Sequence, residues 1–195
     1  PGNTDPDYPT LAPNGAPKWP KGAKALHRPV YTARRLKGDL VDMDVFRHAG
    51  GRTCDWAKDV TPGARLAIIG PGGGGLVTHD AVVLAGDETA FPAIARIMET
   101  LPSDATGQVI LLSHTGQRDY PFPPAGKLSI AWTDKKSYVE TTRAALAATA
   151  NCYAWVAAER GQTGKITASD ELKAVPKSQR YVAGYWTSFE LELPG

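Results

Sequence analysis

The chain has 195 residues, 42% of them hydrophobic, enough for one sizeable domain or two small ones with a real core. Its 22 Lys and Arg against 20 Asp and Glu leave a net charge of +2, which argues against a dedicated nucleic-acid binder with a concentrated basic stripe. The two cysteines, Cys54 and Cys152, form no metal-type pair, no apolar run approaches membrane-spanning length, and no secretory signal opens the chain, so a reducing cytoplasm is the expected compartment.

Residues 1–26 are rich in Pro, Gly, Asn and Lys without periodicity and read as an extended or partly disordered arm. Three strands are expected next. They are Val30–Arg35, the alternating Val41–Arg47 and, after a Thr61-Pro62-Gly63 turn, Arg65–Ile69. Beyond Gly75 the pattern changes. Ala81–Ala85 is a continuous apolar run, as in a parallel strand covered on both faces. Ala90–Leu101 has the 3.6-residue period of an amphipathic helix. Gln108–Ser113 and Leu128–Trp132 are strands. Ser137–Ala150 is an Ala-rich helix, with Ser137 and Glu140 as a capping box. Strand Tyr153–Ala158, a short helix Ser169–Val175 and strand Arg180–Trp186 complete the pattern. Strands without helices are thus followed by alternating strands and helices, a β-rich unit and then an open α/β unit joined through GPGGGG at 70–75.

Two stretches compete as nucleotide sites. GPGGGG formally satisfies a G-x-G-x-x-G pattern, but a strand follows it, not a helix that could hold a pyrophosphate, so it reads as an interdomain hinge. GDETAFP at 86–92 has the right context. A buried strand ends at Gly86, and Pro92 belongs in a first helical turn, which makes Thr89 the expected N-cap. Amides near Thr89 to Phe91 would face a ligand at the carboxyl edge of the sheet, and Asp87 and Glu88 would bond ribose hydroxyls or an amide. The residues alone leave this open against a plain complement to the helix dipole.

Several segments, in order, resemble one family. They are VYTARR (30–35), DVFRHAGG (44–51), DWA (55–57), PGARLAIIGP (62–71), GDETAFPAI (86–94), YAWVAAE (153–159) and VAGYW (182–186). The chain is similar here to the siderophore-interacting proteins, flavin-dependent ferric-siderophore reductases built like ferredoxin reductases. The resemblance implies a β-barrel plus α/β architecture: a partial FAD-binding antiparallel barrel over 27–75, then a parallel-sheet NAD(P)-binding-type domain over 76–195. It also implies that opening barrel strands are missing and that the chain is a fragment.

By the same resemblance, Arg28, Tyr31, Thr32, Asp44, His48, Gly51, Thr53, Cys54 and Trp56 hold FAD, the stretch from Gly51 to Trp56 being a phosphate-binding turn. Gly86, Asp87, Glu88, Thr89 and Glu159 hold NAD(P)H, and Arg34, Arg35, Lys37 and Arg160 meet an anionic ferric siderophore. The chain departs from the family pattern at Arg28, one residue further from Tyr31 than usual, at Thr53-Cys54, where Ala-Ser is usual, and at Thr187, where Arg is common. The implied activity is NAD(P)H-driven reduction of ferric siderophores, with no metal held by the protein and neither nucleic acid nor membrane as partner. A general flavin reductase, or a binding domain that has lost its flavin, are the alternatives.

Overall fold

The structure, a computed structural model, describes residues 8–22, 25–48, 51–70, 72 and 75–188. It divides into two units. One comprises the chain up to Tyr31 together with Arg47–Ala64; the other comprises Thr32–Phe46 together with the chain from Arg65 onward.

In the first unit a short antiparallel hairpin, β1 (Thr10–Leu11) with β2 (Pro17–Lys18), lies inside the segment expected to be an extended or partly disordered arm. Its turn is local chemistry. Asn14 Oδ1 accepts from the Ala16 amide at 3.1 Å, and Gly15 takes φ 77°. Helix α1 (Arg52–Asp59) occupies the stretch expected to be a phosphate-binding turn, so that turn is the helix's first turn.

The second unit opens with a hairpin, β3 (Arg35–Lys37) and β4 (Leu40–Asp42), in register Arg35↔Asp42. The strand expected over Val30–Arg35 meets β3 only at Arg35, β4 keeps only Val41 and Asp42 of the expected Val41–Arg47, and Arg65–Ile69 forms no strand at all. Leu66, Ile68 and Ile69 are exposed, and no neighbouring strand among the described residues satisfies that backbone.

The body of this unit is a five-stranded, all-parallel sheet. Its strands are β5 (Ala81–Asp87), β6 (Thr106–Leu112), β7 (Lys127–Thr133), β8 (Tyr153–Glu159) and β9 (Arg180–Trp186), in the order β7-β6-β5-β8-β9. The inner strands β5 and β8 are buried almost throughout, which explains their unbroken apolar runs. Helix α2 (Phe91–Thr100) covers one face, packing Phe91, Ile94 and Met98 on Val82, Leu84, Val109, Leu111 and Trp155. On the other face lie α3 (Tyr138–Ala148), α4 (Arg160–Ala168) and α5 (Asp170–Ala174), packing Tyr138, Leu146, Ile166 and Leu172 on Val83, Ala85, Ile110 and Val156. Side chains of this size contribute about 1.5–3 kcal/mol each when fully buried, so the two layers hold the sheet. No helix among the described residues is long and apolar enough to cross a membrane.

Local details depart from the sequence reading. Helix α4 is unanticipated: Gly161 and Gly164 weaken its helical signal, and tertiary burial of Thr163 and Ile166 compensates. Ser137 starts α3 but caps nothing with its side chain. Instead Asp134 Oδ1 accepts from the Lys136 and Ser137 amides and from Ser137 Oγ at 2.7 Å, and Glu140 pairs with Arg143. The expected capping box is therefore replaced by an aspartate turn. The N-cap of α2 is Ala90, not Thr89, because Asp87 takes the Thr89 hydroxyl for itself.

Candidate functional site

The order in which the chain adds strands reverses between β5 and β8, and ligands of open α/β sheets bind at the carboxyl ends of strands beside such a point. Here that edge carries three carboxylates. Asp87, fully buried, ends β5. Its Oδ1 accepts from the Thr89 amide at 3.0 Å and the Thr89 hydroxyl at 2.5 Å. Its Oδ2 accepts from the Glu159 amide at 3.0 Å and from Trp186 Nε1 at 2.7 Å. Burial pushes its carboxyl pKa up, with the Thr89 and Trp186 donors working against that. One side chain therefore ties together the ends of β5, β8 and β9.

Glu88 faces the other way along the edge. Its Oε1 accepts from the His114 amide at 2.5 Å and the Thr115 amide at 3.3 Å, and its Oε2 lies 2.6 Å from His114 Nδ1. Burial works to raise the Glu88 pKa, but the His114 ring and these amides outweigh it and hold the group below its ordinary value. The same contact raises the pKa of His114. The His114 ring meets Trp186 edge-on, with centroids 5.7 Å apart.

Glu159 caps α4. Its Oε2 accepts from the Gln162 amide at 3.0 Å, and its Oε1 accepts from the Ser188 amide and hydroxyl at 3.2 and 3.3 Å. These amides outweigh burial and keep its pKa low. A Cβ on Gly161 would lie 2.8 Å from Glu159 Oε2, so a larger residue there would need that carboxylate to shift. Gly86 is more tightly constrained, since a Cβ would fall 2.6 Å from Ala90 Cβ and 2.9 Å from the Ala157 carbonyl oxygen, a backbone atom. Asp87 thus bonds Thr89 and the Glu159 amide, Glu88 bonds His114 and Thr115, and His114 and Trp186, which the sequence reading passed over, stand beside them.

In the first unit, α1 starts at Gly51, with φ 101° and no side-chain cap. A Cβ on Gly51 would sit 3.1 Å from His48 Cε1, so the glycine lets that ring lie against the helix start. An uncapped helix start beside an imidazole fits an anionic phosphate group. Thr53 Oγ1 lies 3.1 Å from His27 Nε2. Arg28 stacks on Trp19, its guanidinium carbon 4.2 Å from the ring centroid. Cys54 is buried, and Tyr31 and Trp56 are partly exposed.

Residues 1–75 match the family model described as the siderophore-interacting FAD-binding domain, and residues 79–188 match that of the siderophore-interacting protein. The chain belongs to the siderophore-interacting protein family. It is 38% identical over 101 residues to ferric vibriobactin reductase ViuB of Vibrio cholerae, covering 48% of this chain and 35% of that one. It is 35% identical over 88 residues to the NADPH-dependent ferric-chelate reductase of Escherichia coli, covering 43% and 34%. The chain spans about a third of the length of these curated relatives. Among solved structures, the siderophore-interacting protein SipS from Aeromonas hydrophila superposes with a TM-score of 0.77 at 24% identity, covering 93% of this chain and 77% of that one. A siderophore utilization protein from T. fusca gives the same TM-score and identity, covering 95% and 75%. These likenesses place the fold with a flavin-binding barrel and an α/β domain.

Within this family member the cationic residues of the second unit separate by environment. Arg34 is 4% exposed, and both its terminal nitrogens donate to Glu99 at 2.7 Å. Arg96 reaches the Ala33 carbonyl, fixing the same segment to α2. Arg35, by contrast, is exposed, and Arg34 and Arg35 both line a cavity of about 460 Å³ with Asp42, Asp44 and Tyr120. There the Tyr120 hydroxyl donates to Asp44 Oδ2 at 2.5 Å. Burial and that carboxylate raise the phenol's pKa. Lys37 and Arg160 are exposed, and Arg160 backs against Gly184, where a Cβ would be 3.1 Å from its Cα. Of the GPGGGG stretch, expected to be an interdomain hinge, only Gly70, Gly72 and Gly75 lie among the described residues.

Proposed function

We propose that the protein is an NAD(P)H-dependent, FAD-carrying oxidoreductase that reduces ferric siderophores and so releases iron in the cytoplasm. The observation that carries this reading is the match of both parts of the chain to the family's FAD-binding and siderophore-interacting models. The names of two relatives, a ferric vibriobactin reductase and a ferric-chelate reductase, support it.

In this reading the flavin phosphates lie at the start of α1, beside His48 and Gly51, with Thr53 and Cys54 in the same turn. Trp56 belongs to the same helix, Tyr31 is the first unit's aromatic candidate for the flavin ring, and in the second unit Asp44 is held in place by Tyr120. When bound, FAD supplies two-electron acceptance from a nicotinamide and one-electron delivery to Fe(III). The pyridine nucleotide lies over the carboxyl edge of the sheet, where Gly86 keeps β5 close to α2 and β8. Asp87, Glu88, Thr89 and Glu159 shape that edge rather than each offering a free ligand. Arg35, Lys37 and Arg160 are the exposed cations suited to an anionic chelate, whereas Arg34 acts through Glu99 as a structural pair.

An absorbance spectrum after incubation with FAD, followed by anaerobic NAD(P)H and then a ferric siderophore, tests the proposal. Retained flavin that bleaches with nucleotide and recovers with the siderophore is the expected result, with Fe(II) appearing in a chelator trap. Equal rates with every ferric chelate tried point to a general flavin reductase. A colourless protein, or one that no nucleotide bleaches, overturns the reading.

A further inference from the structure

We propose that His114 is a phosphate contact of the pyridine nucleotide, a protonatable donor that Glu88 holds at the carboxyl edge of the sheet and that makes nucleotide binding tighter in its protonated form. The inference rests on the nucleotide-binding reading above and adds which residue meets the ligand's charge.

The argument begins with what the helix starts withhold. In many α/β sites a helix N-terminus supplies the amides that hold a phosphate. Here the Thr89 amide goes to Asp87 Oδ1, the Ala90 amide goes to the Asp87 carbonyl, and Pro92 has no N–H. That turn has little left to give an anion. Across the crevice, the start of α4 is capped by the Glu159 carboxylate, which repels one. Positive charge at this edge must therefore come from side chains.

His114 is the side chain built for it. Glu88 fixes the residue at two points, accepting from its backbone amide at 2.5 Å and its ring Nδ1 at 2.6 Å, and Trp186 stands edge-on to the ring. The side chain is 26% exposed, so it is positioned yet reachable. Because a carboxylate only accepts, Nδ1 carries the hydrogen in both charge states of the ring. Protonation therefore changes Nε2 alone, from an acceptor that repels a phosphate oxygen to a donor that bonds one. This switch does not depend on net charge, so the neighbouring Glu88 carboxylate does not cancel it.

The charged groups that act on the ring are Glu88 on the β5–α2 turn, Asp87 at the end of β5 and Lys135 on the β7–α3 turn; β9 contributes only the indole of Trp186. Glu88 and Asp87 favour the protonated ring, and Lys135 opposes it. The balance raises the pKa of His114, so affinity is high below that pKa and falls as pH rises through it.

The test titrates the full chain in two ways, with NADPH and NADH as probes. First, the His114 Cε1 proton is followed by NMR against pH with and without nucleotide; His114→Gln assigns it among the four histidines. Bound nucleotide should move the His114 midpoint up by about one pH unit, the linkage partner of a tenfold affinity change. Second, Kd is measured against pH. The wild-type value should weaken about tenfold through that midpoint, a typical size for a charged hydrogen bond. His114→Gln should be flat and should meet the wild-type curve on its alkaline side. A His114 midpoint unmoved by bound nucleotide, or a His114→Gln curve that keeps the slope, overturns the assignment while leaving the nucleotide reading intact. Failure of both nucleotides to bind at any pH overturns the two together. Should His114→Gln fail to fold, the contact of the wild-type ring with Trp186 assigns the resonance and the titration still reads.

Discussion

Trp186 Nε1 donates to Asp87 Oδ2 across 2.7 Å, joining the last residue of β9 to the last residue of β5 over the intervening β8. The acceptor is fully buried and the donor about one-third exposed, so the bond forms where water competes poorly with the carboxylate. Replacing Trp186 with Phe removes the donor and keeps most of the ring. The expected loss is about 1.5–3 kcal/mol, the range for a hydrogen bond to a charged group. Asp87→Asn should cost at least as much, because one of its two faces then presents N–H groups to N–H donors. Denaturant midpoints of the two single variants and the double variant give the coupling; simple additivity would show that the bond contributes nothing.

Gly86 offers a steric counterpart to that electrostatic tie. A Cβ there would lie 2.6 Å from Ala90 Cβ and 2.9 Å from both the Ala157 carbonyl oxygen and Ile94 Cδ1. The backbone oxygen cannot move without disturbing the β5–β8 ladder. Gly86→Ala should therefore destabilise by about 1–3 kcal/mol, the usual cost of overpacking. Adding Ala90→Gly should recover part of the loss in thermal melts, since it removes the nearest clash. Equal melting of Gly86→Ala and wild type would refute the close approach.

These two residues mark how far the chain alone could be read. The continuous apolar runs at 81–85 and 153–158, the periodic run at 90–101 and the placement of Pro92 in a first turn all correspond to elements of the sheet and its helices, because burial there follows period and length. Helix α4 escaped because its stability comes from tertiary burial of Ile166 and the Glu159 cap, neither visible in a stretch holding two glycines. The strand expected at 65–69 failed for the opposite reason. Its residues alternate suitably, but a strand also needs a partner. At the edge, the fold brings Asp87, Glu88 and Glu159 together at the ends of β5 and β8. What each bonds was not legible, since a carboxylate that grips backbone amides and one that awaits a ribose have the same letter. His114 carried no local motif at all. Only the fold brings it to Glu88, 26 residues away.

Acid should expose a different carboxylate. Glu171 takes two hydrogen bonds from Arg143, both at 3.0 Å, and this pairing lowers its pKa from an ordinary 4.5 to about 2. A depressed folded pKa means that the stabilisation is present above 4.5 and is lost as pH falls towards 2. Arg143→Met removes the cause. Urea midpoints at about pH 6 and about pH 3 should therefore fall further for wild type than for the variant, and high salt should shrink the difference because the pair is partly exposed. Parallel losses in the two proteins would assign the acid sensitivity elsewhere.

Arg34 and Arg35 are adjacent in sequence and differ in burial, which makes them a direct test of the siderophore contacts proposed for the second unit. Arg34 is 4% exposed with its guanidinium held by Glu99, and removing it strands that carboxylate at a partly buried position. Arg34→Met should lower stability by about 2 kcal/mol, less than for a fully buried pair because Glu99 is 37% exposed. Substrate affinity in the protein that remains folded should change little. Arg35 is exposed on β3 and lines the cavity with Asp42, Asp44 and Tyr120. Arg35→Ala should melt with wild type but raise KM for an anionic ferric siderophore several-fold at nearly constant kcat, the signature of lost uniform binding. An Fe(II)-trapping assay alongside thermal melts separates the two roles. A raised KM in Arg34→Met with normal melting, and none in Arg35→Ala, would mean that the ion pair, which lines the same cavity, opens for substrate and that Arg35 does not meet it.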